Sequence, residues 1–328
     1  MTQEHDKIGD LIRHAGAREV VAPLAHERAK REVRKAFDDA LAKRKFRRRQ
    51  TIGIAATALL GLALWLGLGL PKEAPVGLAT QLSAAVERLS GTPRVNGNRL
   101  LPETQFHAGD VIETGSSGTL TLRMGPARTV RLDHGTRLHI LSGSELTLDS
   151  GRLYVDAGST NLARAPLSID TALGTAREIG TQFSLQVAAQ ELYVRVREGR
   201  VDLIRAQQRH TATALVQLHA TADSSDVERV TIGIDDDLWG WAEALAPAFD
   251  INDISLHAYL GWVARETGRH LIYRERAAQT AAQTVRLRGN IDQLTPEQSL
   301  AAVIPTTALA QNISVTPTQI VVTSESPQ

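Results

Sequence analysis

The chain has 328 residues, enough for two modest domains, and no cysteine, which excludes disulfides, thiol catalysis and cysteine-ligated metals. Its net charge of +1 conceals an uneven split: residues 1–50 carry 14 Lys/Arg against 8 Asp/Glu, and the remainder carries 23 against 28. Much of the basic excess sits just ahead of an apolar stretch, which fits a membrane surface or an acidic protein partner and gives no support to direct nucleic-acid binding.

In chain order, two amphipathic patterns come first. Ile8, Leu11, Ile12 and Ala15 recur at helical spacing up to Gly16. After Pro23, a second stripe runs through Leu24, Ala29, Val33, Phe37 and Leu41, with Glu27–Arg31 and Asp39–Lys43 as i,i+4 pairs. Helices this short are marginal alone in water, so the stripes predict either a docking arm for a protein or a helix lying on lipid. The run Lys43, Arg44, Lys45, Arg47, Arg48, Arg49 then precedes twenty uncharged residues, Thr51 to Leu70. At about 1.5 Å per residue that stretch reaches roughly 30 Å, the thickness of a bilayer's hydrocarbon core. Pro71 stops the helix. A signal peptide would have a shorter basic start, and a buried core helix would show a polar face. The charge bias predicts a single span with its N-terminus in the cytoplasm and everything after Leu70 on the far side. Gly53, Thr57 and Gly61 form a small-residue row of the kind that lets such helices pack closely.

Residues 71–90 read as a linker. From about residue 91 to residue 219 short alternating segments are broken by turn residues: Leu120, Leu122 and Met124; Val130 and Leu132; Leu138 and Ile140; Leu146 and Leu148; Leu153 and Val155. Phe183, Leu185 and Val187 follow, then Leu192, Val194 and Val196 with Tyr193, Arg195 and Arg197 facing the other way. Period two with turns every 8–12 residues predicts an all-β domain, a short-strand solenoid or a small sandwich. The polar run of residues 220–229 reads as a hinge. Beyond it, residues 230–328 read as a small α+β unit. Its predicted parts are a helix through Leu256, Tyr259, Leu260, Trp262 and Val263 ended by Gly268; strands at residues 270–273 and 284–291; a helix opened by the capping box Thr295–Gln298 with Pro296 at its first position; and a closing hairpin.

Five fragments in order, TGSSGTLTLRM, VRLDHGTRL, LDSGRLYVDAG, IGTQFSLQV and VREGRVDL, resemble the FecR domain. Gly151, Gly180, Thr181, Phe183, Glu198, Gly199 and Val201 carry the resemblance, most specifically in the GTQF and EGRV stretches. It implies a single-pass inner-membrane regulator with this domain in the periplasm, acting on a cytoplasmic sigma factor of the extracytoplasmic-function class. The sigma-binding face would then be Ile8, Leu11, Ile12, Val33, Phe37 and Leu41. The arm departs from the family's common pattern in being short and lacking tryptophan. Residues 251–323 resemble the short secretin/TonB-type N-terminal module, known as STN, which implies pairing with a like module of an outer-membrane transporter; Tyr259 and Trp262 are the partner-binding candidates. Some FecR-like regulators split their own chain at a Gly-Thr bond, and Gly180–Thr181 admits two readings. Either the Thr hydroxyl attacks the preceding carbonyl, or Gly180 simply makes a turn into a strand.

No phosphate loop, GxSxG elbow, HExxH or EF-hand spacing occurs, and the ten histidines are scattered. Asp235, Asp236 and Asp237 lack the ligand alternation of a calcium loop, and Trp239 and Trp241 read as core or interface anchors. The expectation is therefore a non-enzymatic signal transducer with no cofactor and no metal. The competing class is an envelope-binding or adhesion module in which the arm is only an anchor.

Overall fold

The computed structural model describes residues 82–126, 128–158, 165–234 and 237–324. The arm face of Ile8, Leu11, Ile12, Val33, Phe37 and Leu41 and the apolar stretch Thr51–Leu70 lie outside them. Among the described residues no helix is long and apolar enough to cross a membrane.

Among these residues fourteen strands come first. Those of the N-terminal part are short: β1 (Ala84–Ser90), β2 (Arg94–Val95), β3 (Asn98–Arg99), β4 (Val111–Glu113), β5 (Thr119–Met124), β6 (Arg128–Leu132) and β7 (Arg137–Ser142). Then come β8 (Glu145–Asp156), β9 (Ser168–Thr171), β10 (Gly174–Ala188) and β11 (Glu191–Arg205), followed by β12 (Gln208–Thr213), β13 (Val216–Thr221) and β14 (Val227–Thr231). The expectation of uniformly short strands fails for β8, β10 and β11, which run 12, 15 and 15 residues. Each is shared between two sheets. One sheet takes their segments at residues 151–156, 182–188 and 191–198, in the order β14-β13-β11-β10-β8-β6-β5-β1. The other takes residues 145–150, 174–179 and 200–205, in the order β12-β11-β10-β9-β8-β7-β4-β2-β3.

The passage from one sheet to the other falls on glycine in every case. Gly151, Gly180 and Gly199 have φ of +89°, +64° and +82°, a region that costs an L side chain about 1–2 kcal/mol. At Gly180 the register between β10 and β11 also shifts, as in a β-bulge. A Cβ on Gly151 would lie 2.4 Å from Thr136 Cα, and one on Gly199 would lie 2.5 Å from the Gly180 carbonyl oxygen. The inward residues of both sheets join one core that includes Leu122, Leu132, Val155, Phe183, Leu185 and Val194 from one sheet and Ile112, Leu138, Leu148, Ile169 and Val201 from the other. The architecture is a two-sheet sandwich, so the solenoid option is set aside.

Two expected boundaries move. β1 pairs with β5, so residues 84–90 of the expected linker belong to the sheet. The expected hinge at residues 220–229 contains the end of β13, a turn, and the start of β14; Arg205 fixes that turn by donating to the carbonyls of Thr221 and Ser224. A run of small polar residues looks alike in a linker and in a tight turn, and here the flanking strands decide.

After β14 come α1 (Gly240–Ala244), α2 (Leu256–Thr267), β15 (His270–Tyr273), α3 (Arg276–Thr284), α4 (Pro296–Val303), β16 (Ile313–Val315) and β17 (Gln319–Val322). β17 lies between β15, parallel to it, and β16, antiparallel. Ser255 caps α2 by accepting from Ala258 N, and Gly268 ends it at φ +73°. The Thr295–Gln298 capping box is complete, with Pro296 in the first turn. The expected strand at residues 284–291 reduces to an isolated bridge between Ser255 and Arg286. α3 was not expected: its buried face consists of Ala278 and Ala282, which lack the bulk of an apolar stripe although alanine is the best helix former. These helices and strands enclose a second core through Leu256, Tyr259, Leu260, Val263, Leu300, Ile320 and Val322.

Candidate functional site

The FecR-like residues divide by the face they occupy. Phe183 and Val201 are wholly buried in the sandwich core. Gly180 and Thr181 form the bulge opposite Gly199, and Glu198 is exposed on the rim. Thr181 is buried, its carbonyl accepts from Ala157 N (3.0 Å), and its hydroxyl has no hydrogen-bond partner. The left-handed Gly180 and that unsatisfied hydroxyl are compatible with both readings of the bond.

The outward face of the first sheet, behind these residues, carries two cross-strand rows. One runs Arg131, Tyr154, Ser184, Arg195, Gln217; the other runs Thr129, Asp156, Gln182, Glu198. An outward face would ordinarily be wet, yet Arg131, Tyr154, Asp156, Gln182, Ser184 and Arg197 are all buried. What covers part of this face is α1 together with the last turn of α2.

Arg131 holds both covering elements at once. Its guanidinium donates to the Ala242 carbonyl of α1 (2.6 Å) and to the Glu266 carboxylate of α2 (2.6 Å), and it lies over the Tyr154 ring at 5.0 Å. Arg197 repeats the arrangement: it donates to the Glu266 carbonyl (2.8 Å) and the Glu243 carboxylate, and lies over the Trp239 ring at 4.8 Å. Arg265 of α2 reaches back to Asp156 with two hydrogen bonds, one of 2.9 Å from Nε, and Gln182 donates to Asp156 (3.1 Å) and to the Arg265 carbonyl (3.2 Å). Thr121 and Arg88 donate to the carbonyls of Leu245 and Ala246, just past α1. These side chains thus satisfy carbonyls that a helix end leaves free, except that of Ala242, which also accepts from Leu245 N (3.2 Å).

The apolar content of this seam is small. Tyr154, Ile232, Trp239 and Ala242 form its buried cluster, with Trp239 edge-on to Tyr154 and donating from its indole N–H to the Gly233 carbonyl (3.0 Å). Trp239 and Trp241 are the anchors the sequence suggested, and Arg152 covers the Trp241 ring at 4.3 Å.

Burial sets the protonation tendencies. Desolvation raises the Glu266 carboxyl, and the adjacent Arg131 only partly offsets it. Desolvation would also raise Asp156, but the hydrogen bonds and charge of Arg265 prevail and hold it below the ordinary aspartate value. Burial pushes the Tyr154 phenol up to about 12. The seam is built for charge pairing, and its described residues form no arrangement of nucleophile, base and orienting group for catalysis.

Of the two partner-binding candidates, Tyr259 is withdrawn by its burial and Trp262 is half-buried. Tyr259 is wholly buried and shares a hydrogen bond with Ser299 (3.0 Å), and Trp262 stacks on Phe249 with centroids 4.6 Å apart. The same spacing that put them on an apolar stripe put them against the module's own core. Arg131, Asp156, Arg197 and Glu266 were missed as site residues, because a charge in an alternating strand or on a helix reads as solvated. The available signal was the repetition of Arg or Asp at outward positions of adjacent strands.

Residues 110–202 match the family model described as FecR protein. No curated protein matches the chain. Among solved structures, a candidate anti-sigma factor from Parabacteroides distasonis ATCC 8503 is similar in two crystal structures. The one at 2.50 Å resolution covers 66% of this chain and 99% of its own, at 13% identity and a TM-score of 0.35. The one at 1.65 Å covers 65% and 97%, at 13% identity and a TM-score of 0.34. Likeness at that level assigns nothing to this chain.

Proposed function

Because this chain carries a FecR domain at residues 110–202, we propose that it is a transmembrane signal transducer that modulates a cytoplasmic sigma factor of the extracytoplasmic-function class. The match of that domain is the observation that carries the reading, and the membrane-length stretch Thr51–Leu70 behind a basic run supports it from independent residues. In this reading the chain spans the bacterial inner membrane once, with residues 1–50 inside and the sandwich and C-terminal module in the periplasm. The apolar stripes of the arm, Ile8, Leu11 and Ile12 and then Val33, Phe37 and Leu41, hold or free the sigma factor.

The C-terminal module receives the stimulus from an envelope partner, of which an STN-like module of an outer-membrane transporter is the expected kind. With Tyr259 wholly buried and Trp262 stacked on Phe249, a groove of about 570 Å³ between residues 285–291 and 302–308 is the better surface for that contact; Arg286 and Arg288 line it. The chain is read as a regulator that turns over no substrate.

The test is capture of sigma factors from the source cell by the full chain purified in detergent. Saturable binding of one extracytoplasmic-function sigma factor, lost on Phe37→Asp or Val33→Asp, supports the reading. Absence of capture, at concentrations where another anti-sigma protein succeeds, refutes it and leaves the envelope-module class.

A further inference from the structure

The sandwich and the C-terminal module each close their own core, and no residue belongs to both. Two halves meant to stay joined would meet through an apolar surface. Here the junction is made of Arg131–Glu266, Arg197–Glu243 and Arg265–Asp156, of arginine and threonine bonds to helix-end carbonyls, and of four buried apolar or aromatic residues. Buried ion pairs add little to net stability, because desolvation of the charges offsets their attraction. The Nε atoms of Arg131 and Arg197 and the Trp241 indole nitrogen are buried with no hydrogen-bond partner, and water would satisfy all three once the junction parted. Since Arg131 grips both α1 and α2, and Arg197 does the same through Glu243 and Glu266, release of one element weakens the hold on the other.

We infer that this seam is a latch: α1 and the end of α2 leave the sheet together while both cores stay folded, uncovering the Arg131, Tyr154 and Arg197 face. Sub-global opening of this kind lies below global unfolding in free energy. The latch deepens the transducer reading by giving the C-terminal module a way to act on the sandwich, and it rests on that reading only for its purpose. Failure of the sigma-factor capture would remove the transducer and leave the latch measurement standing.

The absence of cysteine permits a direct test on the full chain in detergent. Single Ala→Cys substitutions are made at three wholly buried alanines: Ala242 in the seam, Ala212 in the sandwich core and Ala278 in the module core. Labelling by a thiol reagent then reports opening at each site. The latch predicts that the Ala242→Cys chain labels at least tenfold faster than the other two. Adding Glu266→Gln should accelerate Ala242→Cys labelling at least tenfold further and leave both controls unchanged. The paired apolar replacement Arg131→Met with Glu266→Leu should slow it below the parent rate. Equal labelling at all three sites overturns the latch, as does a Glu266→Gln effect that is absent or equal everywhere, or a paired replacement that fails to slow the seam. Because the two controls report folding of each core, a variant that merely unfolds is recognised as such.

Discussion

Gly199→Ala tests how the two sheets are joined. The added methyl would meet the Gly180 carbonyl oxygen at 2.5 Å, Thr181 Cγ2 at 2.8 Å and Thr181 Cα at 3.1 Å, on a backbone at φ +82°. Two of those three atoms belong to the backbone of the Gly180–Thr181 bulge and cannot swing aside. Left-handed strain of about 1–2 kcal/mol then adds to overpacking of about 1–3 kcal/mol, for a loss of about 2–5 kcal/mol. At the midpoint, about 3.5 kcal/mol, the melting temperature should fall by roughly 7–14 °C for a unit of this size. Gly180→Ala is the control, because its φ is also positive, +64°, yet no atom lies within 4 Å of where its methyl would sit. Only the strain remains there, about 1–2 kcal/mol. Thermal and urea unfolding followed by circular dichroism measure both. If Gly180→Ala proves as damaging as Gly199→Ala, or Gly199→Ala costs less than about 0.5 kcal/mol, the close contact between Gly199 and the bulge does not govern the bend.

Two further outcomes follow from the same geometry. Tyr154, Tyr259 and Tyr273 have phenols raised to about 12 by burial, against about 10 in an unfolded chain. The folded state therefore keeps more protons between about pH 10 and 12, and stability falls as pH rises through that window. Alkaline titration of tyrosinate absorbance should show these three ionising only as the fold is lost; ionisation near pH 10 with circular dichroism intact would contradict it. For the Gly180–Thr181 bond, purified full chain run on a denaturing gel distinguishes the two readings: one intact band means the bulge is structural, and two fragments abolished by Thr181→Val mean the hydroxyl opens the bond.

Much of the sandwich was legible, because inward residues such as Leu120, Leu122, Leu153, Val155, Phe183 and Leu185 alternate strictly and all are buried. Helix ends were legible where a side chain makes them, at Thr295, or where a glycine does, at Gly268. Strand length was not, since Gly151, Gly180 and Gly199 look like turn residues and instead bend strands that continue beyond them. The seam was hidden for a different reason. Whether Arg131 or Glu266 meets water depends on a partner 135 residues away in the chain, and no local period encodes that distance.

The hairpin of β10 and β11 closes at Ala188–Glu191 and runs out to Thr175–Ile204, so a single pair of strands is central to both sheets. A slip of one residue would reverse the inward and outward sets in each sheet at once. Neither sheet therefore has a register independent of the other. The same coupling works in reverse: losing β11 would remove a central strand from both layers together.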